Sequence, residues 1–211
     1  MLNIEYFFFN PYMERGMVLW DASGQGVILD PGCLGEEEEQ RLFRFITNKG
    51  IDIQAILLTH AHFDHIFGVA ACVNRYGVKV YMSPQEKVVK EGMRDMAAEC
   101  GMPLPDTDWK TTDIYDGSII SFGDTKLKVI TTPGHSCGSV CYYCEESKDL
   151  FSGDTLFSGS VGRTDLRWGN FSDEITSIAK KLMILEDDVR IHPGHGGGST
   201  IGYERSYNPF F

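Results

Sequence analysis

Three of the chain's six histidines and one aspartate fall in a single short window, His60-Ala-His62-Phe-Asp64-His65. Imidazoles and carboxylates at that density are the donors of a divalent cation site. In an extended segment alternate side chains share a face, so His60, His62 and Asp64 aim at one point, and His65 joins them where the chain bends. Two more histidines each follow a strand and a Pro-Gly turn, in Thr132-Pro-Gly-His135 and His192-Pro-Gly-His195, and Asp154 closes Phe151-Ser-Gly-Asp154. Any one of these alone is ordinarily a structural residue. Together they supply five imidazoles (His60, His62, His65, His135, His195) and two carboxylates (Asp64, Asp154). That is too many donors for one tetrahedral ion and suits a pair. Two cations about 3.5 to 4 Å apart lower the pKa of a shared water from about 15.7 to about 7, which makes a nucleophile without serine or cysteine. One of them also polarises a carbonyl as an oxyanion forms on it. Nitrogen and oxygen ligands without thiolates fit zinc, and also iron or manganese.

The elements that must position these residues read as follows. Short apolar runs at 4–9, 17–20 and 26–30, broken by Asn10-Pro11 and Ser23-Gly24, are strands and hairpins. Gly35 precedes a helix whose first turn, Glu36 to Glu39, complements the helix dipole and is read as solvated. Ile53 to Leu58 is a near-continuous apolar run of the kind buried on both faces, and it stops at the histidine cluster, as ligand sites do at the carboxyl ends of strands in open α/β sheets. A helix over 66–76, a strand over 78–82 and a helix opened by Ser83-Pro84 follow. A second strand series is read at 119–122, 126–131, 139–143 and 149–151, then a glycine-rich loop over 158–169. Asn170 or Ser172 caps a helix ending near Leu185, and a last strand spans 189–192. Strands, helices, strands and helix make a layered α/β protein, and the absence of repeats or a low-complexity linker favours a single structural unit over residues 1–211.

Composition narrows the function. Nineteen basic against 30 acidic residues give a formal charge of −11, so nucleic acid is not an expected partner. Six scattered cysteines in a chain of 211 residues read as reduced thiols. The amino terminus lacks a basic flank and a small-residue cleavage site, and no run is long enough to span a membrane, so a soluble cytoplasmic location is expected.

The blocks Asp30-Pro31-Gly32, His60-x-His-x-Asp-His65, Thr-Pro-Gly-His135, Gly-Asp154, Gly162-Arg-Thr-Asp165, Pro-Gly-His195 and Thr200-Ile-Gly-Tyr-Glu204 with Asn208-Pro209 resemble, in order and spacing, the metallo-β-lactamase superfamily and, within it, the short glyoxalase II-like hydrolases. The resemblance implies a four-layer αββα sandwich. It also implies that His60, His62 and His135 hold a first metal, that Asp64, His65 and His195 hold a second, and that Asp154 bridges both. The activity it implies is hydrolysis of small thioesters of the S-hydroxyacylglutathione type, with Asp64 and Asp154 at the reacting centre. Thiolates leave with little protonation, which suits a site without an evident general acid. Glyoxalase II enzymes carry a further carboxyl-terminal helical domain that supplies much of the glutathione pocket, and another thiol carrier stays open for a sequence that runs to Phe211. Two alternatives stand beside this reading. The Gly162-Arg-Thr-Asp165 and Asn208-Pro209 blocks also resemble persulfide dioxygenases, which use one iron held by two histidines and an aspartate, and the ligands could serve a non-catalytic metal-binding protein. A β-lactamase or nuclease is less expected from a cytoplasmic, acidic protein.

Other motifs have plainer readings. Asp30 is a turn or supporting carboxylate that orients an imidazole. Cys141-Tyr-Tyr-Cys144 lies in a strand, where its two thiols face opposite ways. Cys137 is a small buried residue near the site, and His192 a hydrogen-bonded strand end. The glycines from Gly194 to Gly198 allow close backbone approach to the metal site, since no P-loop lysine accompanies them. Arg163 either steers an anionic substrate or pairs with Asp165.

Overall fold

A computed structural model describes all residues, 1–211. Two six-stranded sheets form its centre. The first runs in sheet order β1 (Asn3–Phe9), β2 (Glu14–Trp20), β3 (Gln25–Leu29), β4 (Asp52–Leu57), β5 (Lys79–Met82), β6 (Thr111–Asp113), antiparallel through β3 and parallel beyond it. The second runs β14 (Ser199–Thr200), β13 (Arg190–Pro193), β10 (Asp149–Gly153), β9 (Val140–Cys144), β8 (Thr125–Thr131), β7 (Ile119–Phe122), with β10 and β13 parallel and the other pairs antiparallel. β11 (Leu156–Phe157) and β12 (Ser160–Val161) form a small hairpin inside the stretch read from sequence as an irregular glycine-rich loop.

Three apolar clusters separate four layers. Between the sheets lie Leu19, Val27, Leu29, Ala55 and Leu57 against Phe122, Leu127, Val129, Tyr142 and Phe151. The outer face of the first sheet packs on Leu42, Phe43 and Ile46 of α1 (Glu36–Lys49), Val69 and Cys72 of α3 (Val69–Tyr76), and Val89, Met93 and Met96 of α4 (Lys87–Glu99). The outer face of the second sheet packs on Ile178, Leu182 and Ile201, from α5 (Phe171–Ser177) with the π-turn Ile178–Leu182 that extends it, and from α6 (Ile201–Tyr207). The expected αββα order is therefore present. The β4 run is buried on both sides as expected, with Ala55 and Leu57 turned between the sheets and Ile53, Ile56 and Leu58 toward the helices. Cys141 and Cys144 fall in different apolar clusters, as strand alternation requires. No helix is long and apolar enough to cross a membrane.

Local expectations fail where a long-range contact intervenes. The helix expected over 66–76 is split into α2 (Phe63–Ile66) and α3. Gly68 stands at the break because its backbone is pressed against the Asp30-Pro31-Gly32 turn: its N–H donates to Pro31 O at 2.8 Å, and a Cβ there would sit 2.0 Å from Cys33 Sγ. Ser83 does not cap the next helix. Its hydroxyl turns to the Gln85 side chain, and a 3₁₀ turn, Pro84–Glu86, carries Glu86 inward before α4 begins. Asn170 does cap α5, accepting from Asp173 N–H at 3.1 Å. The first turn of α1 is not wholly solvated either. The Glu38 carboxylate accepts from the N–H groups of Asn10 and Leu34 and ties the first hairpin to that helix.

Candidate metal centre

The candidate ligands sit where strands end. His60, His62, Asp64 and His65 follow β4, His135 lies between β8 and β9, Asp154 follows β10, and His195 follows β13. The two sheets are stitched together at this point, since Thr59 O accepts from Val140 N–H at 2.9 Å and Leu58 O from the Tyr142 hydroxyl at 2.8 Å. α2 supplies the bend that His65 needed.

All seven side chains converge. Donor atoms of His60, His62 and His135 lie within 4.8 Å of one another, as do those of Asp64, His65 and His195. His62 Nδ1 faces His135 Nε2 at 2.9 Å. Asp154 reaches both groups, with Oδ1 3.5 Å from His65 Nε2 and Oδ2 3.6 Å from both His135 Nε2 and His195 Nε2. Asp64 Oδ2 is 3.3 Å from His195 Nε2.

Supporting contacts orient most of the rings. His60 Nδ1 meets Thr59 Oγ1 at 3.0 Å, His65 Nδ1 meets Asp30 Oδ2 at 3.2 Å, His135 Nδ1 meets Arg163 O at 2.7 Å, and His195 Nδ1 meets Tyr12 O at 3.1 Å. The opposite nitrogen of each ring is thereby directed into the cluster. His60 Nε2, His65 Nε2 and Asp154 Oδ1 are buried and have no hydrogen-bond partner. Buried polar atoms left open are costly unless something occupies them, and lone pairs converging at this spacing fit a cation.

The electrostatics divide the cluster. Burial pushes His60, His62 and His135 down, His62 to about 3, so these three rings are neutral donors at physiological pH. Burial alone would lower His65 and His195 too, but the carboxylates of Asp154 and Asp64 carry both above the usual imidazole value. In return, burial would raise Asp154 and Asp64, and the neighbouring histidines hold both carboxylates below their usual range. Deprotonated carboxylates and neutral imidazoles are the forms that bind metal, so a cation at His65 and His195 would displace the protons that Asp154 and Asp64 hold there.

Three buried carboxylates that the sequence reading missed lie beside the cluster, and two of them, Glu86 and Glu174, brace it through hydrogen bonds. Glu86 accepts from Ala61 N–H at 2.8 Å, Ser136 Oγ at 2.5 Å and Gly138 N–H at 2.8 Å, which bolts the His60–His62 segment to the His135 loop. Glu174 accepts from His135 N–H at 2.8 Å, and burial raises its carboxyl to about 8. Glu14 lies 3.8 Å from His65 Nδ1, raised well above the usual value by burial and by the nearby Asp30, Asp64 and Asp154. The Asn10 side-chain amide donates to Gly32 O and Asp64 O. A single glutamate in a helix's first turn or a strand carries no spacing signal, so nothing local could have singled these out.

The other motifs are also placed. Asp30 accepts from Thr59 N–H at 2.8 Å and Thr59 Oγ1 at 2.6 Å besides meeting His65. His192 is a hydrogen-bonded strand end, between the Tyr6 hydroxyl at 2.8 Å and Asp149 Oδ1 at 2.7 Å. Arg163 forms a two-point, exposed pair with Asp165, yet it also lines the cavity at the cluster. Cys137 is half-buried, with Sγ turned toward Gln85 O. Close approach to the cluster is confined to the first glycine of its run: a Cβ on Gly194 would meet Asp154 Oδ1 at 2.5 Å and His65 Cε1 at 2.7 Å, whereas Gly196 and Gly197 have open space around them and a Cβ on Gly198 would meet Ile191 O at 3.0 Å. The cavity over the cluster, about 500 Å³, adds Tyr12, Phe63, Met96, Cys100, Phe157, Val161 and Leu166 to the ligands, an apolar wall facing a polar floor.

Fold and site together define an α/β sandwich with a histidine-rich candidate metal centre at the strand ends between its sheets. The chain belongs to the metallo-beta-lactamase superfamily, which it matches over residues 16–195. It is 34% identical to the hydroxyacylglutathione hydrolase GloC of Haemophilus influenzae, across 99% of this chain and 98% of that protein. It is also similar to the B3 metallo-beta-lactamase BLEG-1 (33% identity, TM-score 0.90, 99% of each chain). A third similar protein is TTHA1623, solved in a di-iron-bound form (36% identity, TM-score 0.88, 98% of this chain and all of that one).

Proposed function

We propose that the protein is a dinuclear metal-dependent hydrolase of small thioesters of the S-hydroxyacylglutathione type. The observation that carries this reading is the meeting of seven buried or half-buried donors, with His60 Nε2, His65 Nε2 and Asp154 Oδ1 otherwise unpartnered. His60, His62 and His135 would hold one cation, Asp64, His65 and His195 a second, and Asp154 both. Bound there, a pair of divalent cations supplies an activated water and Lewis acidity toward a carbonyl. Zinc suits the donor set, and TTHA1623 makes iron an equal candidate.

The chain's own residues do the rest. Only where the second cation is absent would Asp64, whose carboxylate is ionised beside His195, act as a proton shuttle at its Oδ2 atom. Phe63, Met96, Phe157, Val161 and Leu166 line a cavity of metabolite size that holds the acyl group and excludes bulk water. Arg163 offers the cavity's rim a cation for an anionic part of the substrate, weakened by its pair with Asp165. The resemblance to GloC over nearly the full length of both chains supports the thioester as substrate. The likeness to BLEG-1 favours β-lactam hydrolysis as a second reading of the same site.

The test is metal analysis of the purified protein with S-lactoylglutathione and nitrocefin hydrolysis assays on the same sample. About two metals per chain and thioester turnover are expected. Turnover of nitrocefin alone would transfer the assignment to the second reading. One iron per chain with oxygen consumption on a persulfide would overturn both, and tight metal uptake without any turnover would leave a metal-binding protein.

A further inference from the structure

A second cavity, of about 540 Å³, shares no lining residue with the one over the histidine cluster. It lies between the free margins of the two sheets, where β1 is the edge strand of the first and β14 that of the second. Its walls carry two arginines, Arg15 and Arg190, and no carboxylate, in a chain of formal charge −11.

The two arginines differ. Arg190 is committed, its Nε and Nη2 atoms on the Asp149 carboxylate at 2.8 and 2.9 Å. Arg15 has no such partner. It is only 9% exposed, its side chain enters no hydrogen bond or ion pair, and its Nε is buried and unsatisfied. Its guanidinium lies over the rings of Tyr6 and Phe8, 5.3 and 5.6 Å from their centroids, which orients it without satisfying its N–H groups. No neighbouring side chain accepts from it. Tyr6 and His192 bond to each other and His192 to Asp149, while the strand register places Glu14 opposite Phe9 and Arg15 opposite Phe8, on the two different faces of the sheet. A permanently charged fork on a nearly buried side chain, with an unsatisfied Nε–H and no protein partner at its Nη atoms, lining a cavity whose walls carry no carboxylate, matches an oxyanion in charge and in planar geometry. The Thr200 hydroxyl, which accepts from Tyr203 N–H, has its own proton available on the opposite wall.

We propose that this inter-edge cavity is a binding site for a small organic anion, held through a carboxylate or phosphate group on Arg15 and packed against Tyr6 and Phe8. The site is independent of the hydrolase reading, because neither its residues nor its chemistry involve the histidine cluster.

The test follows the Nε–H resonance of Arg15 in ¹⁵N-labelled full-length protein, assigned by its absence from Arg15→Lys and Arg15→Gln. Inorganic phosphate and succinate are titrated in separate arms. A saturable shift with at least one is expected, the stronger arm naming the oxyanion, with the Arg163 Nε–H resonance unmoved. Calorimetry with the same probe is expected to show binding at least roughly tenfold weaker in Arg15→Gln. An Arg15 resonance that responds to neither probe overturns the proposal, as does affinity unchanged by the substitution. The resonance titration is carried out on the wild-type chain, so instability of Arg15→Gln would not remove the decision.

Discussion

The Asp30 carboxylate lies 3.2 Å from His65 Nδ1 and at the same time accepts from both the N–H and the hydroxyl of Thr59. One side chain therefore holds the end of β4 and the ring that follows it, and His65 Nε2 is left to face Asp154 and Asp64. Carboxylates that hold the far nitrogen of a ligating imidazole typically contribute about 10- to 100-fold in metal affinity. Asp30→Ala is expected to lose metal by that factor, read as metal retained per chain after dialysis against a graded series of chelator.

His62→Ala and Asp154→Ala should lower turnover by orders of magnitude and weaken metal retention, since each removes a donor on which other donors converge. Cys144→Ala, buried in the apolar layer between the sheets, should leave both nearly intact. Steady-state kinetics with metal analysis on all three variants checks the contrast; a His62 variant with full activity would remove that residue from the site.

Glu86 serves three donors from two distant segments. Glu86→Ala strands the N–H groups of Ala61 and Gly138 in a buried place and leaves the Ser136 hydroxyl with Ser139 Oγ alone, and each buried unsatisfied group costs about 1–3 kcal/mol. A loss of at least about 2 kcal/mol in urea unfolding is expected. Glu86→Gln, which keeps an acceptor oxygen, should recover part of it.

Asp21 gives the fold an acid-sensitive clamp. It accepts from Ser23 N–H and Oγ in its own turn, and from Asp124 N–H, Thr125 N–H and Thr125 Oγ1 in the β7–β8 turn, thereby joining the two sheets. Burial works against its charge, but these hydrogen bonds lower its carboxyl from 3.8 to about 2. A folded value below the unfolded one means stabilisation that is complete above about pH 4 and lost as the pH falls through about 2. Asp21→Asn should be less stable than wild type at neutral pH, with the difference shrinking over that acidic window in urea unfolding curves.

Much of this protein is local in origin. The β4 run of Ile53–Leu58, the Asn170 cap and the alternation of Cys141 and Cys144 follow from short-range periodicity and backbone chemistry, and the structure agrees with each. The helix expected over 66–76 does not survive, because the pressure on Gly68 comes from the distant turn at Pro31–Cys33, a contact that no pattern within 66–76 announces. Ser83 likewise loses its capping role once Glu86 is drawn into the interior.

By itself, the order of residues determined the donor inventory, His60 to His195, and the kind of element that precedes each donor, since residue chemistry and strand periodicity are properties of short segments. Tertiary structure alone decided which ring nitrogen faces inward and which carboxylates are buried beneath the cluster. It also decided that Arg15 is left without a partner while Arg190 is paired. Those outcomes depend on groups far apart along the chain, such as Glu86 and Ser136, 50 positions apart, or Tyr6 and His192, 186 apart. Solvent is excluded there only once both sheets have closed, and it is that exclusion which turns an ordinary glutamate or arginine into a group that must find a partner.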